Sequence, residues 1–94
     1  IIMIRVNCFA QIKDAAHKSD VIESAKKLTE ASLKHAGNIA YDIFTSETRE
    51  DVALICETWK DAEALKAHMA TEEFKLYVGN MEKYATMKIE QFEF

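Results

Sequence analysis

Between residues 2 and 12 the chain alternates. Ile2, Ile4, Val6, Cys8, Ala10 and Ile12 are apolar, and Met3, Arg5, Asn7, Phe9 and Gln11 stand between them. Period two is the signature of a β-strand with one face in a core. The other face is mixed and carries Asn7 and Phe9. Residues 19 to 36 change period. Val21, Ala25, Leu28 and Ser32 recur at helical spacing, with Ile22, Thr29 and Leu33 beside them. Ser19 suits the N-cap, Asp20 and Glu23 the positive end of the helix, and Lys34 the negative end. Gly37 is the expected stop, because a left-handed residue closes a helix.

Residues 39 to 45 and 52 to 59 read as two strands. The short polar loop between them implies an antiparallel hairpin. Within the second of these strands Val52, Leu54 and Cys56 share one face. Ala53, Ile55, Glu57 and Trp59 share the other, which is assigned to the side away from the long helix. Asp61 caps a helix with Leu65 and Met69 inward. Thr71 caps another helical segment, where Phe74, Leu76, Tyr77, Met81 and Tyr84 supply bulk. Residues 86 to 94 alternate again and close the chain as a strand.

The order β-α-β-β-α-β predicts an α+β fold, a ferredoxin-like sandwich with its helices on one sheet face. Residues 1–94 form one domain on this reading. The opening Ile1-Ile2-Met3 reads either as two added residues or as a start at Met3. Forty-nine per cent of the chain is hydrophobic, and small domains bury less of their surface than large ones. A bare sheet face holding Phe9 and Trp59 therefore calls for a homodimer packed sheet to sheet, for a ligand pocket, or for both.

Charge and composition exclude several partners. Twelve basic and sixteen acidic residues give a net charge of −4 without a basic cluster, which argues against nucleic acid and against an anionic membrane surface. No apolar run spans a bilayer. Cys8 and Cys56 lack metal or redox spacing and read as small buried residues in a reducing, cytoplasmic setting. His17, His35 and His68 have no metal-ligand spacing either. Two glycines make no phosphate loop.

Three side chains of different chemistry converge on this layout. Trp59 ends a strand, His68 follows one helix later, and Asn7 lies on the first strand. Together they offer an aromatic wall, a proton acceptor and an amide. Each has a plainer role open to it: Trp59 as core, His68 as a capping or solvated residue, Asn7 as a surface amide. Phe9, Phe74 and Tyr77 are candidates for the same pocket, with Tyr77 equally suited to an interface. Glu57 reads as an edge charge or an ion-pair partner as readily as a catalytic group. His17 and His35 read as loop and helix-end residues without chemistry.

The pattern Glu57, Trp59, Asp61, Ala64, Leu65, His68, Thr71 and Phe74, with Gly37 to Tyr41 upstream, resembles the antibiotic biosynthesis monooxygenase (ABM) domain, quinol monooxygenase-like members included. The resemblance covers nearly the whole chain and is most specific from 57 to 74. It implies a dimeric α/β barrel and a cofactor-independent monooxygenase that oxidises a small aromatic or quinol-like substrate with O₂, using neither metal nor flavin. It makes His68 the general base, Asn7 a hydrogen-bonding partner of substrate or peroxide oxygen, and Trp59 the wall of the pocket. The chain departs from the family at Glu73, where many relatives carry a second histidine. It departs from a haem-degrading branch at Val78, which cannot ligate iron, and at His68, where that branch carries tryptophan. A small-carbonyl isomerase with His68 as proton shuttle, and a dimeric ligand-binding or stress-response protein, remain open beside the monooxygenase.

Overall fold

The computed structural model describes residues 2–94, so Ile1 lies outside the described residues. The alternation at the start builds strand β1, Ile4–Ile12. Its even-numbered members Ile4, Val6, Cys8, Ala10 and Ile12 are buried. A 3-10 turn at Ala15–His17 leads into helix α1, Lys18–Ser32. The Asp14 carboxylate accepts the Ala16 N–H and starts the turn, so Ser19 sits inside the helix rather than at its cap. Val21, Ala25, Leu28 and Ser32 form the buried stripe, as the spacing predicts. Burying a side chain the size of Val21 or Leu28 contributes about 1.5–3 kcal/mol. Leu33 is exposed, because α1 ends at Ser32 and the chain turns away there.

Strands β2, Asn38–Thr45, and β3, Val52–Trp59, make the expected hairpin. Helices α2, Ala62–Met69, and α3, Glu72–Glu82, share the second helical connection, and β4, Ala85–Glu93, closes the sheet. The Asp61 carboxylate accepts from the Ala64 N–H at 2.8 Å and the Thr71 hydroxyl from the Phe74 N–H at 3.2 Å. Caps of this kind contribute about 1 kcal/mol each. The sheet order is β2-β3-β1-β4, antiparallel throughout. This is the predicted ferredoxin-like βαββαβ topology, with three helices over one face. No helix among the described residues is long and apolar enough to cross a membrane.

The register corrects one assignment. Ile4 stands opposite Trp59, and Val6 opposite Glu57. Residues directly opposite share a face, so Glu57 and Trp59 lie under the helices and not on the bare side. Leu54, Cys56, Asn7 and Phe9 occupy the uncovered face, with Phe44 and Phe92 exposed on its flanking strands.

Gly37 joins the two halves of the helical layer. Its φ is 80°, and a Cβ there would collide with the Cβ of Ala64. The Lys60 N–H donates to its carbonyl at 2.9 Å, tying the α1–β2 corner to the start of α2. Gly37→Ala is expected to destabilise the protein by roughly 2–4 kcal/mol, through strained φ and overpacking together. Urea unfolding would measure it; an unchanged midpoint would mean the corner is looser than its geometry.

Candidate active site

His68 lies in the last turn of α2, on the stripe that also buries Ala64 and Leu65. Only 1% of it is exposed. Its ring sits among three aromatic side chains. Trp59 is 4.5 Å away centroid to centroid, Phe74 5.0 Å in an edge-to-face arrangement, and Tyr41 5.7 Å. Nδ1 is 2.9 Å from Nδ1 of His35, in the turn that follows α1. The far nitrogen of His35, Nε2, is 2.8 Å from the carboxylate of Glu73, in the first turn of α3. Nε2 of His68 has no hydrogen-bond partner. The nearest acidic oxygen is Oε1 of Glu57, at 3.9 Å.

Glu57 is a carboxyl group in the core, 6% exposed. One partner holds it: the Trp59 indole N–H donates to Oε1 at 2.9 Å. Burial raises the Glu57 carboxyl to about 7, and the indole hydrogen bond restrains that rise. Burial, followed by the neighbouring His35, lowers the His68 imidazole to about 4, against the pull of Glu73. Both effects have one cause, because a poorly hydrated site disfavours the charged form of either group. Burial also pushes the Tyr41 phenol upward, with Glu57 adding to it.

A cavity of about 190 Å³ opens beside this pair, between the helix-covered sheet face and α2 and α3. Ile55, Leu65, Phe74, Met81 and Met87 give it an apolar lining, and Glu57, His68, Cys8 and Tyr41 are its buried ionisable groups. Met69, 41% exposed, and Ile89, 59% exposed, mark its mouth along β4.

The structure brings some of the predicted residues together and separates others. His68 and Phe74 line the cavity. Trp59 is fully buried behind them, touching His68 and holding Glu57 without facing the cavity. Tyr77 packs against the core and is not among the lining residues. Asn7 and Phe9 stand on the opposite face of the sheet, since they alternate with Val6 and Cys8, which face the cavity. Within one chain neither reaches His68. Two residues of the cluster, His35 and Glu73, were assigned no role from the sequence, and Glu57 was weighed as an edge charge, an ion-pair partner or a catalytic group on a face assigned away from the long helix. His35 looked like an ordinary helix-end residue, and its meeting with His68 depends on how α1 packs over the sheet. Glu73 was visible only as a departure from a pattern. Among the described residues no group of three or more His, Cys, Asp or Glu side chains is arranged to hold a metal ion.

The opposed shifts make a stability signature. Unfolded, a histidine takes up a proton near 6.5, whereas His68 refuses it down to about 4. Its stabilising contribution is complete above 6.5 and is lost as pH falls toward 4. Glu57 behaves inversely, keeping a proton up to about 7 that the unfolded chain releases near 4.5. Its contribution is complete below 4.5 and is lost as pH rises through 7. Between these limits the two slopes cancel. Glu57→Gln, which keeps an acceptor for Trp59, should gain on the wild type by up to about 3 kcal/mol between pH 4.5 and 7. Denaturant unfolding at stepped pH reads this directly, and parallel curves for the two proteins would refute it.

Comparison with known proteins agrees with the topology. Residues 3–80 match the family model described as antibiotic biosynthesis monooxygenase. The Bacillus subtilis (strain 168) protein named "Putative monooxygenase YcnE" is 29% identical over 77 residues, covering 82% of this chain and 80% of its own length. The crystal structure of a conserved protein from Bacteroides thetaiotaomicron VPI-5482, described as a possible oxidoreductase, superposes with a TM-score of 0.95 at 51% identity. That match covers 98% of this chain and 97% of the other. SnoaB of Streptomyces nogalater, a cofactor-independent oxygenase, shares the fold with a TM-score of 0.77 at 14% identity, over 97% of this chain and 90% of its own. An acid and a base buried under a ferredoxin-like sheet thus sit in a chain that the family model matches over most of its length, and the chain belongs to the antibiotic biosynthesis monooxygenase family.

Proposed function

We propose that this protein is a cofactor-independent monooxygenase of a small, single-ring aromatic substrate of the hydroquinone type. The observation that carries this reading is an apolar cavity lined by His68 and Glu57, with Nε2 of His68 buried and free of any hydrogen-bond partner. A dry apolar cavity of about 150 Å³ accommodates benzene. A space of about 190 Å³ therefore suits one substituted ring, with larger substituents leaving past Met69 and Ile89. Nε2 of His68 accepts the proton of a ring hydroxyl. The resulting phenolate is electron-rich enough to reduce O₂ itself, so the protein's task is to bind, deprotonate and shield it. One oxygen atom enters the ring and the other leaves as water, all electrons coming from the substrate. Glu57, when protonated, donates a hydrogen bond to the developing oxyanion. The family membership and the oxygenase and oxidoreductase descriptions of its relatives support the same assignment.

The same acid–base pair favours a second reading, isomerisation of a small carbonyl compound. His68 would take a proton beside the carbonyl and Glu57 would return one. Oxygen electrode traces separate the two. For the monooxygenase, uptake with monocyclic hydroquinones should depend on protein, proceed without added metal or flavin, and fall at least 100-fold in His68→Ala. Proton exchange into a carbonyl substrate without oxygen use would favour the isomerase. Binding without turnover would make the protein a ligand carrier.

The functional unit on this reading is a homodimer packed through the uncovered sheet face, where Phe9, Leu54 and Phe44 lie on adjacent strands. Light scattering at micromolar concentration should give twice the chain mass. Leu54→Lys, in the middle of that face, should give the monomer with its fold intact. A monomeric wild type would end the proposal.

A further inference from the structure

Two contacts at the site do work that the proposed chemistry has not used. His35 bridges His68 and Glu73 through its two ring nitrogens, at 2.9 Å and 2.8 Å. These three groups come from three different elements, the turn after α1, the end of α2 and the start of α3. They run from the interior to the surface. His68 is buried, His35 is nearly so, and the Glu73 side chain is 40% exposed.

Hydrogen-bond chemistry gives this chain a direction. An ionised carboxylate only accepts. The His35 N–H keeps Glu73 below the usual carboxylate range, so His35 Nε2 is the donor in that contact. With one proton on each ring, Nδ1 of His35 is then a bare acceptor. It takes the proton of His68 Nδ1–H. The remaining nitrogen of His68, Nε2, carries a lone pair, and it is the atom left without a partner. Reversing the chain would place an unsatisfied N–H donor there, which is the rarer and costlier arrangement in a protein interior.

We propose that Glu73 and His35 are positioning residues which hold His68 as the Nδ1–H tautomer, keep the lone pair on its unpartnered Nε2, and connect it to solvent. A proton taken up at Nε2 releases the Nδ1 proton to His35, which releases its Nε2 proton to Glu73 and so to water. Each ring ends neutral and the substrate anion remains. The groups that face His68 from the sheet, Glu57 on β3 and Tyr41 on β2, do not touch the relay side of its ring. The tautomer assignment concerns the resting protein. The proton-export step rests on the chemistry proposed above.

Long-range proton–nitrogen correlation spectra of the full chain, labelled with ¹⁵N at histidine, test it at neutral pH. The wild type should show His68 with a protonated Nδ1 and a bare Nε2. Glu73→Ala removes a surface side chain and should leave the fold while turning His68 into a mixture of tautomers. A wild-type His68 protonated at Nε2, or an unchanged tautomer in Glu73→Ala, would overturn the proposal. In oxygen uptake, Glu73→Ala should lower kcat by roughly tenfold or more with KM unchanged. An unchanged kcat, with His68→Ala inactive, would refute the export step. If no substrate gives uptake, the function reading fails and the tautomer spectra still decide whether the relay exists.

Discussion

The pairing of Ile4 with Trp59 is the constraint on which the rest depends. It sets the register of the two central strands. In a sheet, a slip of one residue exchanges the two faces. Under the observed register Glu57 and Trp59 come to lie beneath the helices, in line with Val6 and Ile4. The opposite register would place the only tryptophan and the buried acid on the uncovered face. No cavity with an acid and a base in its walls would then exist. The apolar alternation of β1 enforces the choice, because Ile4, Val6, Cys8, Ala10 and Ile12 can be buried together in only one of the two orientations.

Given that register, the site is an exercise in satisfying polar groups out of reach of water. A buried carboxyl and a buried imidazole are each costly when charged. Here the carboxyl takes an indole N–H, and the imidazole takes a second imidazole, which in turn takes a carboxylate that water still reaches. The formal charge of the cluster is thereby moved to its edge, at Glu73. The buried imidazole is left neutral, and the buried carboxyl keeps its proton below about pH 7. One valence remains open, at Nε2 of His68, a residue that lines the space where a ligand fits.

The sequence made the architecture legible and the site only half so. Strand alternation, the α1 stripe and the caps at Asp61 and Thr71 are local signals, and they placed seven elements in the right order, although α1 stops at Ser32 and Gly37 serves the turn into β2 instead of the helix end. His68 and Phe74 were also identifiable, through spacing and resemblance. The face of Trp59 was not, because period two says which residues share a face but not which face meets the helices. Asn7 and Phe9 were grouped with His68 for the same reason. The contact of His35 with Glu73 could not be read, since the two meet only through the packing of α1 against α3. Long-range contacts between side chains on separate elements leave no periodic trace.

The neutrality of the buried imidazole also bears on which chemistry the cavity favours. Transferring a proton from a ring hydroxyl to His68 creates opposite charges in an apolar space, at a separation of one hydrogen bond. At short range and low dielectric that pair is strongly held together. A phenolate so held is a poor reductant, because its charge is compensated. Moving the proton outward to Glu73 removes the compensating cation and leaves an anion whose simplest relief is to pass an electron to a neutral acceptor such as O₂. An isomerase has the opposite need, since the same proton must come back to the substrate. Within the proposed relay, the direction of proton flow therefore favours oxidation over isomerisation, on physical grounds independent of family resemblance.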